Sequence, residues 1–176
     1  LLLREDLRRG ADVDETPLQD ESPGVYALRI AGAKANTAVR QIAYRGLPQK
    51  PVLAADTTVV FDDRIIGKPQ NAEDAARILR TLSGREHQVI TAVALALREQ
   101  VETQISVSSV WFQELTDVDI RRYIATGEPL DKAGAYAIQG RGGAFVMRIA
   151  GSYTGIMGLP LAETMELLKR FNIPVW

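Results

Sequence analysis

The stretch PVLAADTTVVFDDRIIGKPQ, residues 51–70, places one aspartate, Asp56, inside a run of apolar and β-branched residues. That composition is typical of a buried strand. A carboxylate in a low-dielectric interior is costly unless it is paired, hydrogen-bonded or bound to a metal. We therefore predict two short strands that meet at a cleft, with Asp56 at their junction. The structural alternative is that Asp56 ends a strand and caps the next element through its side chain.

The bulk composition describes a globular protein and excludes several classes of chemistry. The 176 residues suffice for one domain, residues 1–176, with a sizeable core, and 46% of them are hydrophobic. A net charge of −1 gives no support for nucleic-acid or membrane binding, so we expect neither partner. The absence of cysteine excludes disulfides, thiolate zinc sites and a cysteine nucleophile, and it agrees with a cytoplasmic location.

The chain holds a single histidine, His87, which we expect at the edge of a strand. A metal site built from several histidines is therefore impossible. Carboxylates, lysines and arginines must carry any chemistry.

Capping signals and periodicity predict the elements that surround residues 51–70. Ser22-Pro23 is typical of a helix start, and that helix is expected to reach about Val39. Two alternating segments, 87–97 and 101–111, are predicted to pair as antiparallel strands. A helix at 160–171 is expected to turn Leu161, Met165 and Leu168 inward. Because helices and paired strands are mixed along the chain, we predict an α/β fold around a mixed sheet.

Four polar clusters offer groups for catalysis. They are DVDETP (12–17), AADTT (54–58), GKP (67–69) and GEPLDKAGAYAIQGRGG (127–143). Carboxylate oxygens suit Mg²⁺ or Mn²⁺, which bridge to phosphates, while lysines neutralise phosphate charge and a free carboxylate can deprotonate water. Together the clusters point to a metal-assisted enzyme acting on phosphates.

Each cluster also has a structural interpretation. Asp12 and Asp14 are compatible with a solvated turn, and Lys68 with an ordinary surface lysine. GRGG at 140–143 is weaker than a dinucleotide-binding fingerprint because no long helix is predicted after it. The P-loop pattern is absent from the sequence, which excludes that class of nucleotide hydrolase.

Taken together, the motifs resemble the Maf family of nucleotide pyrophosphatases. The matching segments are DVDETP (12–17), ESP with the following Tyr, Arg and Lys-Ala (21–35), AADTTVV (54–60), GKP (67–69), LSGREHQVITAVAL (82–95), YIATGEPLDKAGAYAIQGRGGAFV (123–146) and GLPL (158–161). They follow the family's order and spacing. The resemblance implies a single elongated α/β domain with two lobes around a long mixed sheet and a central cleft.

The resemblance also implies an activity, which is hydrolysis of nucleoside triphosphates to the monophosphate and pyrophosphate with Mg²⁺ or Mn²⁺. It implies that Asp56 is the general base of the reaction. It also implies that Thr57 and Gln139 select the nucleobase of the substrate. ADT together with IQG is similar to the branch that acts on dTTP and UTP, whereas the 7-methyl-GTP branch differs at both positions. A role in removing non-canonical nucleotides follows.

By the same resemblance, Glu15, Lys34 and Lys68 match polar residues that the family needs for substrate binding. Glu15 and Asp56 are the expected metal ligands. A homodimer is also expected, with apolar residues around Trp111 and Trp176 available for the interface.

One departure from the family concerns the start of the chain. The family opens with a strand and a Ser-x-Ser-Pro-Arg-Arg loop, but only LLLREDLRRGA precedes DVDETP here. Residues 1–3 match the strand, and the phosphate-binding loop is expected to be either deleted or outside this sequence. Two alternatives to the dTTP/UTP activity therefore stay open: a 7-methyl-GTP or purine pyrophosphatase of the same fold, and a non-catalytic regulator of septum formation.

Overall fold

A computed structural model describes residues 13–175, so the expectations for residues 1–3, Asp12 and Trp176 lie outside the described residues. The elements in chain order are α1 (Pro23–Tyr44), β1 (Val52–Phe61), β2 (Arg64–Ile66), α2 (Ala72–Leu82), β3 (Glu86–Leu97), β4 (Gln100–Phe112), α3 (Asp117–Ile124), three 3-10 turns (Glu128–Asp131, Ala133–Ala135, Arg141–Phe145), β5 (Val146–Ala150), α4 (Tyr153–Ile156) and α5 (Leu161–Arg170). Within residues 13–175, no helix has the length and apolar character that crossing a bilayer requires.

The five strands form one sheet in the order β2-β1-β3-β4-β5. This confirms the α/β class, but every strand pair among residues 13–175 is antiparallel, where a mixed sheet was predicted. Tight turns account for two of these four pairs, β1 with β2 and β3 with β4. Asp62 and Asp63, with φ of 49° and 58°, connect β1 to β2, and Arg98, with φ of 58°, lies between β3 and β4.

The prediction of two short strands at Asp56 was wrong, because β1 is one ten-residue strand with Asp56 in its middle. Asp56 pairs with Ala92 of β3. On the other side of β1, β2 pairs only with residues 59–61, and no further strand within residues 13–175 covers residues 52–58. The Asp56 carboxylate can therefore reach a cleft at the uncovered edge of the sheet, although the strand does not end at this residue.

Helix α1 covers one face of the sheet through small residues. Ala27, Ala31 and Ala35 recur every four positions and pack against alanines of β3 at positions 92, 94 and 96. Contacts between alanines let a helix lie close to a sheet, because no long side chain separates the two backbones. The neighbouring Lys34 consequently lies within reach of β1. Ser22 caps this helix as predicted, although the helix continues to Tyr44, past the expected Val39.

The opposite face carries the larger core. Helices α2 and α3, the 3-10 turns and α4 pack there on Val59, Val89 and Val110. The capping box of Thr116 and Asp119 opens α3 as its sequence indicates.

Two of the predicted orientations were wrong. His87 does not lie at a strand edge: it faces the larger core from β3 and is 2% exposed, because Phe112 and Tyr136 enclose its ring. Leu161 is 51% exposed, because it occupies the first turn of α5. Leu167 points into the core from that helix instead.

Candidate active site

A cleft of about 500 Å³ lies along the part of β1 that β2 leaves uncovered. Successive side chains of a strand point to opposite faces, so β1 contributes to the cleft from both sides of its edge. The six residues singled out from the sequence all line this cleft. They are Glu15 before α1, Lys34 of α1, Asp56 and Thr57 of β1, Lys68 after β2, and Gln139 between two 3-10 turns.

Lys34 joins the two carboxylates on the α1 side of the cleft. Its Nζ lies 2.7 Å from a carboxylate oxygen of Asp56 and 2.7 Å from one of Glu15. The Asp56 side chain is 11% exposed, whereas that of Glu15 is 54% exposed. Burial lowers the pKa of Lys34, but hydrogen bonds and charge attraction from both carboxylates outweigh it and hold this pKa above its usual value. Lys34 is therefore charged at neutral pH and neutralises part of the charge of the two acids.

The segment that carries Glu15 is held against α1 by hydrogen bonds. The Tyr26 hydroxyl donates to the Glu15 carbonyl at 3.0 Å. Arg29 donates to both carboxylate oxygens of Glu21, at 2.6 and 2.7 Å, and to the Thr16 carbonyl. The hydrogen bonds from Arg29 lower the pKa of Glu21 to about 2. These contacts fix the backbone beside Glu15 while leaving its carboxylate free to face Lys34.

The turn before this segment has the structural role that the sequence allowed for Asp14. Its carboxylate accepts from the Thr16 amide at 2.9 Å in an exposed position, so the solvated-turn interpretation is confirmed for Asp14.

Thr57 faces the side of the sheet opposite Asp56. Its hydroxyl lies 2.9 Å from the hydroxyl of Thr91, its partner across the β1–β3 pair. Thr91 donates in turn to the Gly155 carbonyl of α4 at 2.7 Å. The side chain of Thr57 is thus anchored at the back while it borders the cleft.

Gln139 is presented by a loop that wraps around a carboxylate. Glu128 accepts from the amides of Arg141 and Gly142, each at 3.0 Å, and from the Tyr123 hydroxyl at 2.8 Å. Burial raises the pKa of Glu128, but the two amide hydrogen bonds outweigh it and the pKa is held below its usual value. Glu128 therefore shapes the loop that carries Gln139 and does not face the cleft.

A further side of the cleft is formed where Gly67, beside Lys68, contacts the 3-10 turns. The Gly134 amide donates to the Gly67 carbonyl at 3.1 Å. Gly134 has a φ of 70°, and a Cβ there would lie 2.7 Å from a methyl carbon of Val59. Only glycine fits this position without displacing β1. The exposed Lys68 thus combines both interpretations of its motif, since it is a surface lysine on the rim of the cleft.

The donor groups suit a divalent cation only in part. Carboxylates of Glu15 and Asp56 are hard oxygen ligands, and Mg²⁺ commonly uses one or two such groups together with substrate phosphates. Among residues 13–175, no cluster of three or more acidic, histidine or cysteine side chains is present. The protein part of any metal site in the described cleft is therefore small, and Lys34 lies between its two carboxylates.

Sequence reasoning missed Tyr26 as a positioning group and Thr91 as a polar group behind the cleft. A usable signal existed for Thr91, because it is the one hydroxyl in the apolar stretch VITAVALAL, residues 89–97. It is fully buried, and a buried hydroxyl requires hydrogen-bond partners. Tyr26 belongs to the segment 21–35 that resembles the family, but its residue type alone did not indicate this role.

Comparisons with known proteins agree with one another. The family model described as "Maf-like protein" matches residues 3–171. A "dTTP/UTP pyrophosphatase" of Nitrosomonas europaea is 53% identical over 176 residues, covering 100% of this chain and 85% of the relative. Proteins with the same name from Dechloromonas aromatica and Pasteurella multocida are 51% and 50% identical. These alignments cover 98% and 94% of this chain, and 86% and 84% of the relatives.

Proposed function

The chain belongs to the Maf family, and from that membership and the geometry of its cleft we propose that it hydrolyses nucleoside triphosphates to the monophosphate and pyrophosphate. We propose dTTP and UTP as the preferred substrates and a single domain as the active unit. The observation that carries the proposal is the 11% exposed Asp56 carboxylate, held 2.7 Å from Lys34 in a cleft that also contains Gln139. The names of the relatives support the same activity.

In this proposal Asp56 is the general base. It accepts a proton from water, whose oxygen attacks the α-phosphorus. The bond from the α-phosphorus to the bridging oxygen breaks, and pyrophosphate leaves with the bonding electrons. Because β1 holds Asp56 rigidly between α1 and β3, little reorganisation is needed at the moment of proton transfer.

Lysines would stabilise the charge that develops on the leaving group. Lys34 and Lys68 approach the cleft from separate elements, so they can contact different phosphates of one chain. Lysine acts on phosphate as a compact point charge, which suits a triphosphate that must be released after cleavage.

We further propose that Glu15 and Asp56 hold a Mg²⁺ or Mn²⁺ ion together with oxygens of the triphosphate. Such an ion would supply charge neutralisation for the phosphates and Lewis-acid activation of the attacked phosphorus. The Glu15 carboxylate is half-exposed and can turn, whereas Asp56 is fixed in β1. Chelation with EDTA should therefore abolish turnover, and Glu15→Gln should raise the Mn²⁺ concentration needed for half-maximal rate.

Base selection is assigned to Thr57 and Gln139. An amide carries a donor, so Gln139 can donate its N–H to O4 of uracil or thymine, which leaves N3–H for a second acceptor in the cleft. Thr57 lines the same cleft as Gln139 and offers a hydroxyl.

The proposal is tested by pyrophosphate release from UTP, dTTP, CTP, GTP, ITP and 7-methyl-GTP with Mg²⁺ or Mn²⁺. We expect UTP and dTTP to be turned over fastest. Asp56→Asn should lower the rate at least about a hundredfold, the scale of a lost general base. Asp117→Asn is the matched control, because Asp117 is an exposed acid paired with Arg80 on α2, and its rate should equal that of the wild type.

Three results would point elsewhere. An unchanged rate for Asp56→Asn would remove the assigned base. Faster turnover of 7-methyl-GTP or ITP than of UTP would indicate the purine branch. Absence of turnover for every nucleotide would favour a non-catalytic regulator.

We also propose that the protein acts as a homodimer in the cytoplasm. The absence of cysteine supports the location. Val107 on β4 and Met147 on the edge strand β5 are 50% and 74% exposed, and they are the apolar side chains that such a contact would bury. Light scattering coupled to size exclusion should give twice the monomer mass of 19.3 kDa, and Val107→Asp with Met147→Asp should give the monomer mass.

A further inference from the structure

We propose that Thr91, behind the cleft, fixes the direction of the Thr57 hydroxyl and thereby makes the site select uracil and thymine against cytosine. Thr91 does not line the cleft and is fully buried, so it is a positioning residue. This inference rests on the proposed pyrophosphatase function, and it adds a cause for the choice between pyrimidines.

The direction follows from counting protons. A threonine hydroxyl has one proton to donate and two lone pairs to accept with. The Gly155 carbonyl can only accept, and it lies 2.7 Å from the Thr91 hydroxyl, so the proton of Thr91 is directed there. Thr91 must then accept at its 2.9 Å contact with Thr57, and the proton of Thr57 points away from the cleft. What remains toward the substrate is a lone pair.

The position of α4 maintains this arrangement. Its N-cap, Ser152, accepts from the Gly155 amide at 2.9 Å, which orients the peptide units of this short helix. A Cβ at Gly155 would lie 3.1 Å from the Ser106 hydroxyl oxygen, so a larger residue there would require Ser106 or α4 to shift by a few tenths of an ångström. After α4 the chain passes Thr57 at Gly158, whose absent side chain leaves the threonine hydroxyl uncovered on the cleft side. The chain segment 152–158 therefore positions the Thr91 hydroxyl on one side and leaves the Thr57 hydroxyl accessible from the cleft on the other.

An acceptor at Thr57 separates the pyrimidines by their N3 atoms. Uracil and thymine carry N3–H, which donates, whereas the N3 of cytosine is a bare acceptor. Two acceptors facing each other leave a lone pair desolvated without a partner, which is the stronger form of discrimination. Guanine and hypoxanthine also have N1–H beside a carbonyl, so the acceptor at Thr57 does not discriminate against them.

The test compares kcat/KM for UTP and CTP in Thr91→Val, Thr91→Ser and wild type. Valine removes the acceptor for the Thr57 proton, which is then free to turn toward the cleft and donate to cytosine. We expect the ratio of UTP to CTP to fall about tenfold in Thr91→Val, mainly through KM, since one hydrogen bond is exchanged for another. Thr91→Ser keeps the hydroxyl and should keep the wild-type ratio, which a merely space-filling role would not predict.

Binding of UMP and CMP, measured by calorimetry, makes the same comparison without hydrolysis. We expect wild type and Thr91→Ser to prefer UMP, and Thr91→Val to lose that preference. An unchanged ratio in Thr91→Val, or equal binding of UMP and CMP by the wild type, would overturn the inference. Loss of turnover of all nucleotides by the wild type would instead refute the proposed function, and the binding ratios would still decide the role of Thr91.

Discussion

His87 should make the protein less stable as the pH falls from neutral to 5. It is 2% exposed, and its Nε2 lies 2.9 Å from the Tyr136 hydroxyl while its Nδ1 has no hydrogen-bond partner in the structure of residues 13–175. A charged ring would bury an N–H without an acceptor. Burial consequently lowers the pKa of His87 to about 4 from its usual 6.5.

The sign and size of the effect follow from proton linkage. Between pH 6.5 and 4 the unfolded chain binds a proton at His87 that the folded chain does not, so stability is lost as the pH falls. The His87 contribution amounts to about 2 kcal/mol between pH 7.5 and pH 5, and to about 3 kcal/mol below pH 4. For a domain that is typically stable by about 5–15 kcal/mol, this is a large share.

Two measurements check the prediction on protein without a histidine tag. Because the chain has one histidine, its ring proton can be followed directly by NMR, and the midpoint should lie near pH 4. Urea unfolding of wild type and His87→Gln should then be compared at pH 7.5 and pH 5. Carboxylates titrate in both proteins, so the difference between the two free energies of unfolding isolates His87.

That difference should change by about 2 kcal/mol in favour of His87→Gln at pH 5. A midpoint near 6.5, or a difference that does not depend on pH, would show that the ring is hydrated or finds a partner when charged. The reasoning from burial would then be refuted.

Three further changes test the walls of the cleft. Gly134→Ala should lower the free energy of unfolding by about 2–4 kcal/mol in urea denaturation, because it adds a clash with Val59 to the strain of a positive φ. Gly46→Ala is the control: Gly46 also has a positive φ but no atom beyond its chain neighbours lies within 4 Å of its Cβ position, so that substitution should cost less. Lys34→Met should lower kcat/KM for UTP at least about tenfold, because it removes a charge that phosphate requires; an unchanged value would exclude that role. Glu128→Gln should raise KM for UTP with little change in kcat, since it loosens the loop around Gln139; an unaltered KM would dissociate the loop from base binding.

The sequence predicted most elements well because their end signals are local. Ser22 and Asn71 cap α1 and α2, and the side chain of each accepts from an amide three residues on. Such hydrogen bonds depend on a few neighbouring residues and can be inferred from residue type. The prediction that the six cleft residues share one site was also made from the sequence. That prediction came from the family resemblance rather than from physical reasoning on each residue.

The failures concern properties that are set by distant parts of the chain. Whether Asp56 ends a strand or lies within one depends on how far β3 pairs along β1, and its partner Ala92 lies 36 positions further along the chain. The burial of His87 depends on Phe112 and Tyr136, which lie 25 and 49 positions away in the sequence. The use of Glu128 as a brace required two amides from a glycine-rich loop whose path could not be deduced from composition.

The alternation of side chains along β1 separates two tasks that are adjacent in the chain. Asp56 and Thr57 share a peptide bond, yet one belongs to the layer of α1 and the other to the layer of α4. Substitutions around Thr57, Thr91 and α4 can therefore alter which base is accepted while the acid and its lysine on the opposite side keep their surroundings. A one-residue insertion ahead of Asp56 would have the opposite effect, because it would exchange the two faces and disable both tasks at once.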